Sequence, residues 1–117
     1  MSWFPFGKRR PTGQAAPEPP DARRETMDHL ARFVTTRVGV EAYIEPPNNQ
    51  IQTTILLVAT TGEWTRRKVP DARTARAVAG ALGIPVYDVN FTGYPQRMRA
   101  WNAAQREAQK RARQQDS

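Results

Sequence analysis

Apolar residues recur at three and four positions through Met27, Leu30, Ala31, Val34 and Val38, while Arg23, Arg24, Glu25, Asp28 and Arg32 fall between them. This spacing predicts an amphipathic helix over residues 22–37, with Phe33 to one side of the stripe. Asp21, after Pro19 and Pro20, is the N-cap candidate, and Gly39 is placed to end the helix in a left-handed conformation. The period then changes to two. Val40, Ala42 and Ile44 alternate with Glu41, Tyr43 and Glu45, which predicts a half-buried strand with the carboxylates and the tyrosine on one side. Residues 46–49, Pro-Pro-Asn-Asn, break it. Residues 50–60 hold the only continuous apolar run, Ile55-Leu56-Leu57-Val58-Ala59, and predict a central strand covered on both faces.

Thr61 and Gly62 predict a hairpin turn, and residues 63–69 a returning strand whose register, and so the side that Trp64 faces, depends on the loop length. Pro70-Asp71 is a second helix start. Ala75, Val78, Ala79 and Leu82 then share one face before Gly83. Residues 84–89 read as a fourth strand, with Pro85 placing it at an edge or a strand start, where a missing amide is tolerated. A strand, an 11-residue helix and a strand joined by short links favour a crossover that lays the fourth strand parallel to a neighbour. Pro95 opens a last helix that Tyr94, Met98 and Trp101 tie to the sheet, and beyond Ala104 the apolar stripe stops, so the end is expected to fray. The expected fold is a small α+β domain: helix, three-stranded antiparallel meander, crossover helix, fourth strand, C-terminal helix. Residues 1–20 form a proline-rich leader holding five of the ten prolines, residues 21–104 the domain, and residues 105–117 a basic polar tail.

Composition narrows the function. With 117 residues there is room for one core. No cysteine is present, which removes disulfides and thiolate metal sites. No apolar run approaches the roughly 20 residues that cross a bilayer. The first ten residues set Trp3, Phe4 and Phe6 ahead of Lys8, Arg9 and Arg10, the reverse of a secretory signal, so a cytoplasmic protein is expected. The same leader could hold a partner's groove or an anionic surface.

Eighteen basic residues against eleven acidic ones give a formal charge of +7, with an isoelectric point near 10.8. Such a balance suits nucleic acid, although an arginine-rich, proline- and alanine-rich chain is also what a GC-rich genome writes at neutral surface positions. The positions of the charges carry more weight than their sum. Arg66, Arg67 and Lys68 stand beside Trp64, a residue able to stack on a base. Alternation puts Arg66 and Lys68 on one side of the strand and Arg67 on the other. Arg97 and Arg99 lie near a helix start, where free amides favour an anion. Residues 105–113 are a further dense basic stretch.

Candidates for catalysis are few. His29 is the single histidine, and the only serines, Ser2 and Ser117, are terminal. Asp88 is a core carboxylate. Glu41 and Glu45, four apart on one strand, stand about 13 Å apart at the Cβ atoms, too far for a dyad without another element. No catalytic residue, metal site or cofactor is expected.

The blocks Gly39-Val40-Glu41-Ala42-Tyr43-Ile44-Glu45-Pro46, Gly62-Glu63-Trp64-Thr65-Arg66-Arg67-Lys68-Val69, and Gly83-Ile84-Pro85-Val86-Tyr87-Asp88 through Gly93-Tyr94-Pro95-Gln96-Arg97-Met98 resemble a family of small uncharacterised actinobacterial proteins. The likeness covers residues 25–101. Members are sometimes labelled oxidoreductase, but this chain has no Gly-x-Gly-x-x-Gly turn, redox thiol pair or metal-ligand spacing, so the resemblance implies a shared fold and an intracellular setting and no catalytic residues. The order helix, three strands, helix is also similar to the double-stranded RNA-binding domain, which implies phosphate contacts from the start of the second helix, here Arg73 and Arg76. Residues 46–49 do not match that family's first hairpin, and a fourth strand and third helix are extra.

The sequence therefore predicts a non-catalytic basic module that contacts RNA, the ribosome or another nucleic-acid assembly. The phosphate-binding set is Arg66, Arg67, Lys68, Arg73, Arg76, Arg97 and Arg99, with Trp64 for stacking. The alternative is an adaptor that engages an acidic or other protein partner through the sheet edge near Tyr87 and the two tails. The sequence leaves the oligomeric state open.

Overall fold

The structure is a computed structural model that describes residues 20–116. The leader and its aromatic and basic residues lie outside the described residues. Eight elements follow in order: α1 Pro20–Thr36, β1 Glu41–Glu45, β2 Thr54–Val58, β3 Trp64–Lys68, α2 Ala72–Leu82, β4 Val86–Asp88, the single turn α3 Val89–Thr92, and α4 Gln96–Asp116. The strands form one mixed sheet in the order β3-β2-β1-β4. β1 and β2 pair antiparallel, as do β2 and β3, while β4 runs parallel to β1. This is the expected α+β architecture, with α3 added.

Each side of the sheet is built by the period-two pattern. Ala42, Ile44, Ile55, Leu57 and Ala59 meet Leu30 and Phe33 of α1 and Ala75, Val78 and Ala79 of α2 in the main core. Tyr43, Leu56, Val58 and Met98 form a smaller cluster on the opposite side, beneath the first turns of α4. β2 lies between the two and is buried at every position, because both of its faces are covered. Removing such side chains from water supplies the main stabilisation, at roughly 25 cal/mol per Å² of apolar surface.

Local signals explain most element ends. Asp71 accepts from the Thr74 amide at the start of α2, and Gly83, at φ 71°, closes it. Pro85 lies on the edge strand's approach, where its carbonyl accepts from Ala42 N and its missing amide is not needed. Gly39 does adopt positive φ, 65°, though α1 ends three residues earlier.

Several boundaries differ from the sequence reading. α1 begins at Pro20, so Asp21 sits inside the first turn instead of capping it, where its charge still complements the helix dipole. Phe33, expected beside the stripe, is buried in the main core, and Val38, expected in the stripe, lies past the helix end and is exposed. The fourth strand is shorter than residues 84–89, because Asp88 accepts from Asn90 N and turns the chain into α3. α4 continues as helix to Asp116 where fraying was expected. From residue 103 to 115 it is exposed at every position, an arm of helix with its side chains turned to solvent.

Candidate functional site

The pairing of β2 with β3 fixes the hairpin register. Val58 pairs with Trp64, and Ala59 N donates to Glu63 O, which turns Trp64, Arg66 and Lys68 toward α4 and Thr65 and Arg67 toward α1. The turn fits only because of Gly62. Its φ is 93°, and a Cβ there would lie 2.0 Å from the carbonyl oxygen of Arg97. The backbone of α4 thus rests directly on the hairpin.

On this side of the sheet the carboxylates and arginines pair with each other. Glu45 accepts from Arg66 Nε at 2.6 Å and Arg66 Nη2 at 2.8 Å, from Thr54 Oγ1 at 2.6 Å and from Tyr94 OH at 2.5 Å. Burial disfavours its charged form, but the bonds from Arg66, Thr54 and Tyr94 outweigh that cost and hold its carboxyl below the ordinary range. Glu41 accepts from Arg97 Nη2 at 2.7 Å and from Tyr43 OH at 3.1 Å, and Arg97 Nε also donates to the carbonyl of Ala59 at 2.9 Å. Trp64 Nε1 donates to Asn102 Oδ1 at 2.7 Å, with the Arg66 guanidinium 5.0 Å from its ring. Tyr43 and Tyr87 stack at 5.5 Å. These contacts bind α4 to three strands.

The eight expected contact residues therefore fall into different settings. Trp64, Arg66 and Arg97 are tied into the network, with hydrogen bonds made inside the protein. Lys68 is exposed on the same side as Arg66 and has no partner among the described residues. Arg67 is exposed on the α1 side and donates to the carbonyl of Arg66 at 2.8 Å. Arg73 and Arg76 are exposed on α2, across the sheet from the network. Arg99 is exposed and donates to Tyr94 O at 2.9 Å. The set is not brought together on one patch.

The carboxylates are equally committed. Between Arg37 and Arg99 each of them has a structural role, Glu41, Glu45 and Glu63 in ion pairs and Asp71 and Asp88 as helix caps. The Glu63 partner is Arg37, at 2.6 Å, whose guanidinium also lies 4.4 Å from the Phe33 ring and fastens α1 to the hairpin. His29 Nε2 lies 2.6 Å from Thr65 Oγ1, on the other side of the sheet from Glu41 and Glu45. Burial, then the charges of Arg67, Arg32 and Arg37, lower its pKa. No group of three His, Cys, Asp or Glu able to hold a metal occurs among the described residues. None of their helices is long and apolar enough to cross a membrane.

What sequence reasoning missed is the pairing itself. Glu41 and Glu45 were visible on one side of β1, and Arg66 on one side of β3, so a shared face was a readable signal. Their proximity required the strand order. The contact from Arg97 required the path of α4. No family model, curated protein or solved structure matches this chain.

Proposed function

We propose that this protein is a non-catalytic basic module that binds nucleic acid, with RNA or a ribonucleoprotein among its targets. One observation carries the reading. The core's carboxylates are matched to Arg37, Arg66 and Arg97, and the peripheral charge left over is net basic, with Asp21, Glu25, Asp28 and Glu107 as its exposed carboxylates. Lys68, Arg76, Arg106, Lys110, Arg111 and Arg113 are exposed and have no partner among the described residues. Arg66, Arg97 and Trp64 are the framework in this reading, and the unmatched side chains meet phosphates. Each such contact releases condensed counterions, which supplies affinity without sequence preference. Kinship with the small actinobacterial family belongs to the same proposal. The blocks that carry the likeness contain Glu41, Glu45, Trp64, Arg66, Tyr94 and Arg97, the residues of the network.

The test is fluorescence anisotropy with labelled RNA and DNA, each as single strand and duplex, at about 50 mM salt, where electrostatic binding is strong. Saturable binding is expected. Its absence for all four probes overturns the reading.

A second reading, the protein adaptor, has its own support. Phe91 is 89 % exposed on α3, and Tyr87 and Tyr94 near it are 37 % and 39 % exposed, beside the edge strand β4. Exposed aromatics of this kind anchor protein interfaces. Affinity capture with and without nuclease separates the two readings: a partner that survives nuclease and is lost in Phe91→Ser favours the adaptor.

A further inference from the structure

The exposed length of α4 carries a pattern that the dense basic stretch of the sequence did not reveal. At about 100° per residue, Arg99, Arg106, Lys110 and Arg113 fall within an arc of about 60°. They form one straight row about 21 Å long at 1.5 Å per residue. Arg111 stands roughly 120° further round the helix from that row. Ala104, Ala108 and Ala112 occupy the face that continues from Trp101, so the helix has little side-chain bulk there. Past Asn102, whose Oδ1 meets Trp64, every residue to Gln115 is exposed. The arm is a slender rod with basic charge on two sides and Glu107 between them, one turn before Arg111.

We infer that this arm is a DNA-contacting element that lies in the major groove of a B-form duplex, with Arg106, Lys110 and Arg113 against one phosphate wall, Arg99 continuing their row at the arm's root, and Arg111 toward the other wall. This rests on the nucleic-acid reading and narrows it to a site and a substrate. The argument is one of dimensions and charge. A helix about 10–12 Å across fits a major groove about 12 Å wide, whereas the deep, narrow major groove of A-form RNA does not admit one. Single strands are held chiefly by stacking on open aromatic faces. The arm itself carries no aromatic residue, Trp101 at its root is half-buried, and Trp64 is bonded to Asn102 with Arg66 against its ring, so none offers an open platform. Gln105 and Gln109 add amides that can reach base edges or phosphates.

The experiment compares the full chain with the triple variant Arg106→Ala, Lys110→Ala, Arg113→Ala. Alanine keeps the helix, which circular dichroism verifies. A control, Arg24→Ala with Arg32→Ala, removes charge from the exposed side of α1. Affinity is read with a DNA duplex, an RNA duplex of the same sequence and each single strand. The wild type is expected to prefer the DNA duplex at least tenfold. The arm variant should bind it at least tenfold more weakly, with a log–log salt slope shallower by nearly three, at about 0.9 per lost contact. The control should bind like the wild type. An arm variant that binds as tightly as the wild type overturns the inference and leaves the nucleic-acid reading standing. Equal or tighter binding of the RNA duplex overturns the groove assignment, and silence of the wild type toward every probe overturns both.

Discussion

Replacing Glu45 by alanine removes the acceptor of four hydrogen bonds at once, and the structure sets the size of the effect. Thr54 is 5 % exposed, so its hydroxyl is left buried without its acceptor, at a cost of about 1–3 kcal/mol. Arg66, whose side chain is 39 % exposed, and Tyr94, 39 % exposed, can turn to water, and screening limits their joint loss to about 0.5–1 kcal/mol. Glu45→Ala should therefore lose about 2–3 kcal/mol. Since 1 kcal/mol moves Tm by about 4–8 °C in a domain of this size, the fall should be on the order of 10–20 °C. Urea unfolding at pH 7 checks this through a lower midpoint at unchanged slope. Adding Thr54→Val removes the stranded hydroxyl and should restore roughly half of the loss. The pH dependence has a definite sign. Glu45 has a depressed pKa in the folded state, so its stabilisation is complete above the ordinary carboxylate range and disappears as pH falls through the folded value. That part of the acid limb should be missing from Glu45→Ala. A single variant within about 0.5 kcal/mol of the wild type, the range of an ordinary surface substitution, would refute the reasoning.

Three further outcomes follow from other parts of the molecule. Gly62→Ala should destabilise by more than about 2 kcal/mol and change the fluorescence of Trp64 and Trp101, since its Cβ would meet the Arg97 carbonyl, whereas Gly83→Ala, with nothing near the new methyl, should cost only the ~1–2 kcal/mol of a left-handed residue. The pKa of His29 is lowered on folding, so stability is full above the ordinary histidine value of 6.5 and declines as pH falls below it, and denaturant midpoints between about pH 7.5 and 5.5 should lose this slope in His29→Gln. Phe91→Ser should leave the unfolding midpoint within about 0.5 kcal/mol of the wild type, because that ring is solvent-exposed.

The elements that the sequence disclosed are those whose signals are local. The alternation in β1, the buried run of β2 and the Asp71 to Gly83 limits of α2 each depend on neighbours a few residues away. Phe33 was misplaced because a helical stripe has soft edges: the sheet and α2 together reach far enough round α1 to bury it. α3 was missed because Val-Asn-Phe-Thr has low helix propensity, and the turn rests on the caps at its two ends, Asp88 accepting from Asn90 N and Gly93 N donating to Val89 O. The network was hidden for a different reason. Glu45 and Arg66 lie 21 residues apart and Glu41 and Arg97 lie 56 apart, and no periodicity joins positions so distant. Counting charge could not separate framework arginines from unmatched ones. That separation required the pairs.

The division of the basic residues into framework and ligand-facing groups is tested most directly by the salt dependence of nucleic-acid affinity for the full chain. Between about 50 and 200 mM salt, the logarithm of the binding constant should fall with a slope steeper than about −3, as four or more released phosphate contacts require. A slope near zero, or no binding at the lower salt, would contradict the account and leave the peripheral charge as a solvated surface.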